Sequence, residues 1–466
     1  MSLYGGELAG VYPVEDEDRQ DVHMGDSDYE DDESDQPTSK ATEDTTAMDV
    51  KNGKDIQGIP WERMNTTRDS YRQARMQQYA NFENIPNSGR TSKKECTPTE
   101  KGRLYYEFQL NTRSVKSTIL HFQVSYDLKC FIIPNVSPPY LVHALTREKH
   151  EIIDLQGRVS PCEKHQGNFS EGFYRTQVST LAVKDNLLVT GGFHGEIICK
   201  FLDRQGVSYC CKSTSDDNGI TNSLEIYEKP SGSLYFLASN NDCGLRDFDM
   251  EKFQICNNFR FAWPVNVNPS ANSLIVYFSV EHVAHFITDL TSPSVFNFLQ
   301  HTSVSPDGKL AVIVGDNPDG LLVDANSGKA VHELRGHLDY SFASAWNPDG
   351  RTFATGNQDK TCRVWDIRNL SQSVAVLGGN IGAIRSIRYT SDGKFMAMAE
   401  PADFIHIFDV ESGYSKKQEI DFFGEVAGIS FSPDTEALFV GVHDRAYSSL
   451  LQFNRRRFYS YLDSTL

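Results

Sequence analysis

Residues 336–366 read GHLDYSFASAWNPDGRTFATGNQDKTCRVWD, and this stretch decides the fold. Inside it lie a turn signal, Asn347-Pro348-Asp349-Gly350, and a strand that ends at Trp365-Asp366. Both features recur on either side. Turn signals stand at Ser305-Pro306-Asp307-Gly308, Ser391-Asp392-Gly393 and Ser432-Pro433-Asp434, so the turn aspartates Asp307, Asp349, Asp392 and Asp434 are spaced by 42, 43 and 42 residues. A second series of strand ends, Val323-Asp324, Trp365-Asp366 and Phe408-Asp409, is spaced by 42 and 43. Two independent landmarks in register at one period mark a structural repeat.

The period is that of a four-stranded propeller blade. Earlier in the chain the runs Thr118–Val124, Leu187–Gly192, Leu234–Ser239 and Leu274–Phe278 are strand-like, and no long helical periodicity interrupts them. The expected fold class is all-β. Units start near Val115, Gln177, Ile220, Trp263, His301, Ser341, Ile384 and Glu425, which makes eight, with seven blades as the alternative. The last unit is one strand short. Leu104-Tyr105-Tyr106-Glu107-Phe108 is placed to supply that strand and remove an open edge.

At these residues the chain resembles the WD-repeat β-propeller family. The resemblance implies a buried hydrogen-bonded tetrad within the best unit, formed by His337, Thr355, Asp359 and Trp365. An aspartate accepts from the imidazole, whose other nitrogen meets the hydroxyl, which accepts from the indole N–H. The implied role is rigidity, and a hydrolase triad is not the reading of a histidine, an aspartate and a hydroxyl in this setting. The next unit departs from the pattern: Gly379-Asn380 replaces Gly-His, Met398 replaces the hydroxyl, and Ala402 stands at the turn aspartate's place. The chain as a whole is similar to an uncharacterised WD-repeat family of fungi and plants. In that family an acidic N-terminus precedes a Gly-Ile-Pro-Trp-Glu-Arg element, here Gly58 to Arg63, and an arginine run follows the last blade. This resemblance implies a protein of the nucleus and cytoplasm.

Composition sets the remaining bounds. A chain of 466 residues exceeds one ordinary compact core, which favours growth by repeats. Its formal charge of −18 argues against nucleic acid or an anionic membrane as the main partner. Most of that charge lies in residues 1–54 and Asp55, with 17 acids against 4 bases. Residues 1–54 are therefore expected to be a disordered acidic tail, with Ser27 as a site for acidophilic kinases. Residues 55–101 form an apolar patch and an amphipathic helix capped at Thr66, residues 102–456 the propeller, and residues 457–466 a C-terminal tail. The nine cysteines include no CxxC pair, and neither a signal peptide nor an apolar run of membrane-spanning length is read.

Function is expected at surfaces. No P-loop, HExxH or strand–helix GxGxxG is present, and His282 and His285 fall on opposite faces of a strand region, so no enzyme, metal or cofactor is expected. The main expectation is a scaffold or adaptor that binds proteins or peptides. The alternative rests on Trp365-Asp366-Ile367-Arg368. This Trp-Asp-x-Arg ending resembles the box of substrate receptors of cullin-type ubiquitin ligases, which implies an adaptor contact through Trp365, Asp366 and Arg368. Two further candidates are the basic patch Arg455, Arg456 and Arg457 and the docking element Ile59, Pro60 and Trp61. Leu334-Arg335-Gly336 is one arginine short of a phosphoinositide-binding loop.

Overall fold

A computed structural model of the chain describes residues 48, 51, 53–110, 176–261, 299–444 and 447–457, with short strands and a few single positions between 114 and 174. The acidic stretch before residue 48, Ser27, the unit expected from Trp263 with its strand at Leu274–Phe278 and its His282 and His285, and residues 458–466 lie outside the described residues.

The described strands form seven four-stranded antiparallel units, the sixth and seventh joined in one continuous sheet, and a separate two-stranded sheet of Arg158–Val159 and Phe173–Tyr174. The first runs through Gln123–Ser125, Cys130–Ile133, Tyr140–His143 and Lys149–Glu151. The second comprises Val178–Lys184, Leu187–Gly192, Glu196–Phe201 and Tyr209–Lys212, the third Thr221–Glu228, Leu234–Asn240, Gly244–Asp249 and Gln254–Arg260. The fourth is Leu299–Val304, Leu310–Gly315, Asn317–Asp324 and Ala330–Leu334, the fifth Ser341–Trp346, Thr352–Asn357, Thr361–Asp366 and Ala375–Gly378. The sixth and seventh share one 16-residue strand, Lys416–Phe431. Its first half is the outer strand of the sixth sheet beside Ala402–Asp409, and its second half is the inner strand of the seventh beside Ala437–His443.

The first strands of successive sheets lie against one another, and the seventh returns to the first. The third and fourth sheets are direct neighbours through Thr221–Glu228 and Leu299–Val304. The described residues therefore build the seven-bladed alternative. The expected closure is also present: Tyr106–Phe108 pairs antiparallel with Phe453–Arg455 and becomes the outer strand of the seventh sheet.

Alternating strand patterns bury apolar residues between the sheets. Ile384, Ile387, Met396, Met398 and Phe408 of the sixth sheet pack with Ala354, Cys362, Val364 and Leu377 of the fifth. The two sheets approach closely because position 356 carries no side chain; a Cβ on Gly356 would lie 2.7 Å from the carbonyl oxygen of Ile384.

Residues 55–101 form a strap laid along the fifth, sixth and seventh sheets. Helix α1 spans Arg68–Gln78 and helix α2 spans Ser88–Ser92. The cap of α1 is Thr67, one residue later than the sequence suggests, and its hydroxyl accepts from Ser70 N at 3.2 Å. After α2 the strap runs along outer edges. Thr97 exchanges hydrogen bonds with Val376 of the fifth sheet, and Glu100–Lys101 pairs in parallel with Lys416–Lys417.

Candidate functional site

In the fifth sheet the four residues expected to form a tetrad are brought together and buried. Trp365 Nε1 donates to Thr355 Oγ1 at 2.9 Å, His337 Nε2 meets the same oxygen at 2.9 Å, and His337 Nδ1 faces Asp359 Oδ2 at 3.3 Å. Asp359 also accepts from Leu338 N, Thr361 N and the Thr361 hydroxyl. Burial opposes its charge, yet His337 and these donors hold the carboxyl well below the usual range. The strap contributes a fifth member, Ser92, whose hydroxyl donates to Asp359 Oδ2 at 3.0 Å.

The sixth sheet solves the same problem with other residues. Glu400 is fully buried and accepts from the backbone N–H groups of Asn380, Ile381 and Gly382 and from His406 Nε2. Burial opposes a charge on His406, but its bonds to Glu400 and Glu419 raise its pKa, and the same contact lowers Glu419 to about 2. One residue after Ala402, Asp403 sits in the left-handed region at φ 69°, fully buried. Its carboxylate takes Arg72 Nη1 at 2.8 Å and Arg75 Nε and Nη2 at 2.6 and 2.8 Å from α1.

Arginines thus form the inward face of α1, and Arg72 is its one buried residue. The sequence suggests an amphipathic helix on Tyr71, Arg72, Arg75, Met76, Tyr79 and Phe82, ending near Ala80; Arg72 and Arg75 do face inward, but Met76 is exposed. The face is cationic because its seat is anionic and aromatic. Arg68 pairs with Asp421 at 2.7 Å, and the Arg72 guanidinium lies 4.1 Å from the ring centre of Phe423 and 4.8 Å from that of Phe404.

The element Ile59, Pro60 and Trp61 lies on the chain's own surface. Asp55 organises it, with Oδ1 accepting from Gln57 N and Ile59 N and Oδ2 accepting from Trp61 Nε1. Gly58 supplies the left-handed turn at φ 78°. Ile59 is buried, Pro60 bridges to Lys54, and the Trp61 ring stands 5.0 Å from Phe423 and 5.6 Å from Tyr71. Gln57 locks the contact by donating to Phe423 O and accepting from Phe423 N. Beside it a cleft of about 360 Å³ lies between Ile56, Arg68, Phe108, Ile420 and Phe453.

Trp365-Asp366-Ile367-Arg368 lies at and past the C-terminal end of strand Thr361–Asp366, while the strap touches Gln358 and Asp359 just before that strand and reaches Arg363 within it through Glu95. Trp365 is locked in the tetrad, while the Arg368 side chain is 61% exposed. Arg368 Nε and Nη2 fork onto the Asp366 carboxylate and lower its pKa to about 2. Nη1 has no partner among the described residues.

The arginine run is not a single free patch. Arg455 pairs with Asp392 at 2.7 Å and stacks on Phe395, and Arg457 pairs with Glu436. Arg456 is exposed, and its backbone N–H bonds to Tyr105 O. Among the described residues no group of three or more His, Cys, Asp or Glu is placed to hold a metal, and no helix is long and apolar enough to cross a membrane.

Residues 328–366 match the family described as WD domain, G-beta repeat. The fold is of the WD40/β-propeller repeat type. Curated proteins similar to part of the chain include human DDB1- and CUL4-associated factor 10, 27% identical over 111 residues, which are 24% of this chain and 19% of that protein. THO complex subunit 3 of Arabidopsis thaliana is 28% identical over 122 residues, 25% of this chain and 38% of that protein. The guanine nucleotide-binding protein subunit beta of Dictyostelium discoideum is 27% identical over 135 residues, 28% of this chain and 36% of that protein. The chain thus spans about a fifth of the first relative and just over a third of the other two. A chain of the solved structure titled "Crystal Structure of Mitotic Checkpoint Complex" superposes with a TM-score of 0.53 at 13% identity, covering 78% of this propeller chain and 96% of that one, which is a likeness of fold.

Proposed function

We propose that this propeller is a substrate receptor that docks onto the adaptor of a cullin-type ubiquitin ligase through the end of the fifth sheet that bears Arg368. The observation that supports this reading is the geometry of the Trp-Asp-x-Arg ending. The tetrad fixes Trp365, Asp366 orients the Arg368 guanidinium, and its outer edge is left exposed. An exposed, pre-oriented guanidinium gives up little rotamer freedom when it meets an acceptor on a partner. The similarity to DDB1- and CUL4-associated factor 10, though it spans about a quarter of the chain, favours the receptor over an unspecialised scaffold. Residence in both nucleus and cytoplasm accompanies the proposal.

The test is affinity purification of the tagged full chain beside Arg368→Ala, with partners identified by mass spectrometry. Recovery of a ligase adaptor with the wild type and its loss, at least tenfold, from the variant is the expected result, with thermal melting unchanged because Arg368 is a surface residue. Equal adaptor recovery in both samples, or none in either, overturns the reading. In the second case the recovered partners define the scaffold's role.

A further inference from the structure

The seat of α1 has the character of a ligand site filled by the chain itself. On the propeller side it consists of Asp403, Phe404, Asp421 and Phe423 at the junction of the sixth and seventh sheets. Its geometry is set from beneath. Gly424 N donates to Asp403 Oδ1, and Asp403 is held in a backbone conformation that residues with a side chain seldom adopt. The occupant contributes two aromatic rings against Phe423, Trp61 and Tyr71, and three guanidinium groups spaced by four and three residues along a helix, Arg68, Arg72 and Arg75. The contacts are ionic, cation–π and hydrogen-bonded, with Phe422 O and Asp421 O as the backbone acceptors. A helix of 11 residues is marginal in water, so α1 is folded by its seat rather than before it.

We propose that this junction is a recognition site for helical protein segments carrying an aromatic residue and arginines one turn apart, and that residues 55–78 occupy it as an internal ligand that such a partner displaces. The argument is charge and shape complementarity already realised once. The fully buried Asp403 carboxylate takes two guanidiniums, Asp421 takes a third, and the Phe404 and Phe423 rings form the floor under Arg72. The displaced strap remains tethered through Thr97, Glu100–Lys101 and Tyr106–Phe108, so release of α1 leaves the sheet pairings of the seventh blade in place. This site lies at the opposite end of the blades from Arg368 and stands independently of the adaptor reading.

The experiment uses the full chain, a full-chain Trp61→Ala/Arg72→Ala/Arg75→Ala variant, and a fluorescent synthetic peptide of residues 55–78 as the probe. Fluorescence anisotropy is expected to show saturable one-to-one binding to the variant, at least tenfold tighter than to the wild type, weakened by salt and abolished by adding Asp403→Asn. A peptide of the same composition in scrambled order is expected not to bind. Absence of binding to the folded variant, equal binding to wild type and variant, or equal binding of the scrambled peptide overturns the proposal. Should the variant not fold, amide exchange of the wild-type chain decides. Exchange of residues 71–79 at least a hundredfold faster than that of Thr352–Asn357 shows that α1 undocks while the blade stays closed. Equal protection of the two makes α1 a fixed layer and overturns it.

Discussion

Ser92 donates its hydroxyl proton to the same oxygen of Asp359 that faces His337 Nδ1, at 3.0 and 3.3 Å respectively. Through this one atom the N-terminal strap is coupled to the residue set that rigidifies the fifth blade.

Replacing Ser92 by alanine is therefore expected to cost stability even though the tetrad keeps all its own members. Loss of one neutral donor to a buried carboxylate that retains other donors is worth about 1–2 kcal/mol. Ser92→Asp should be worse, because it sets a second carboxylate against Asp359. Urea unfolding with an unchanged m-value is the measurement. A Ser92→Ala midpoint equal to that of the wild type would show the contact to be idle.

Thr355 is the hinge of the tetrad, since its oxygen meets both His337 and Trp365. Thr355→Val keeps the shape but strands an imidazole nitrogen and an indole N–H inside the blade, an expected loss of about 2–4 kcal/mol. Thr355→Ser retains the hydroxyl and should lose less than half as much. If the two variants melt together, the methyl group and not the hydrogen bonds carries the effect.

Asp403→Asn removes the charge that faces Arg72 and Arg75. The buried Arg72 guanidinium then keeps Asp421, 3.4 Å away, as its remaining counter-charge, with an expected cost of about 3 kcal/mol. Arg75→Ala, at a position with a 22% exposed side chain, should cost clearly less. Thermal or chemical denaturation of both variants gives the order, and the reverse order refutes this account of the strap.

Two inner-strand residues oppose each other in pH dependence. Burial raises Glu225 to about 7 against the pull of Arg388 and Lys184, and burial with Arg388 nearby lowers His301 to about 3. For Glu225 the folded chain holds more protons than the unfolded between pH 4.5 and 7, so its contribution declines as pH rises through that window. For His301 the unfolded chain holds more protons between pH 3 and 6.5, so its contribution declines as pH falls. The two slopes cancel in their overlap. His301→Gln should expose a stability that falls as pH rises from 4.5 to 7, and Glu225→Gln one that rises with pH from 3 to 6.5. Stability curves of the two variants with the same sign of slope from pH 4.5 to 6.5 would contradict these assignments.

The propeller was legible wherever two landmarks ran in register. From Asp307 to Asp434 the period places the blades, and His337, Thr355, Asp359 and Trp365 meet as their motif implies. The sixth blade was legible only as a departure, because Asp403 stands one position past the expected turn residue and its partners lie more than 300 residues earlier in the chain. A hydropathy pattern cannot foresee a counter-charge supplied from such a distance. Arg72 and Arg75 stand among the positions read as an amphipathic helix, and Arg68 shares their face, but nothing in that spacing names Asp403 and Asp421 as their seat. Ser92 left no trace in the sequence, since a buried serine in a short helix resembles any other.

The outer strand of the seventh blade has a consequence for how the protein is made. Tyr106–Phe108 leaves the ribosome about 350 residues before its partner Phe453–Arg455. At translation rates of about 5–20 residues per second, that strand waits roughly 20–70 s for its neighbour. Six blades can be synthesised within that interval, but the last acquires its fourth strand only once Phe453–Arg455 has emerged. Without Ser449–Arg455 the strand Tyr106–Phe108 has no partner, so the final sheet stops at two strands and its raw edge is open to any passing chain. Sealing of the ring is therefore a late event in synthesis, delayed until Ser449–Arg455 has emerged.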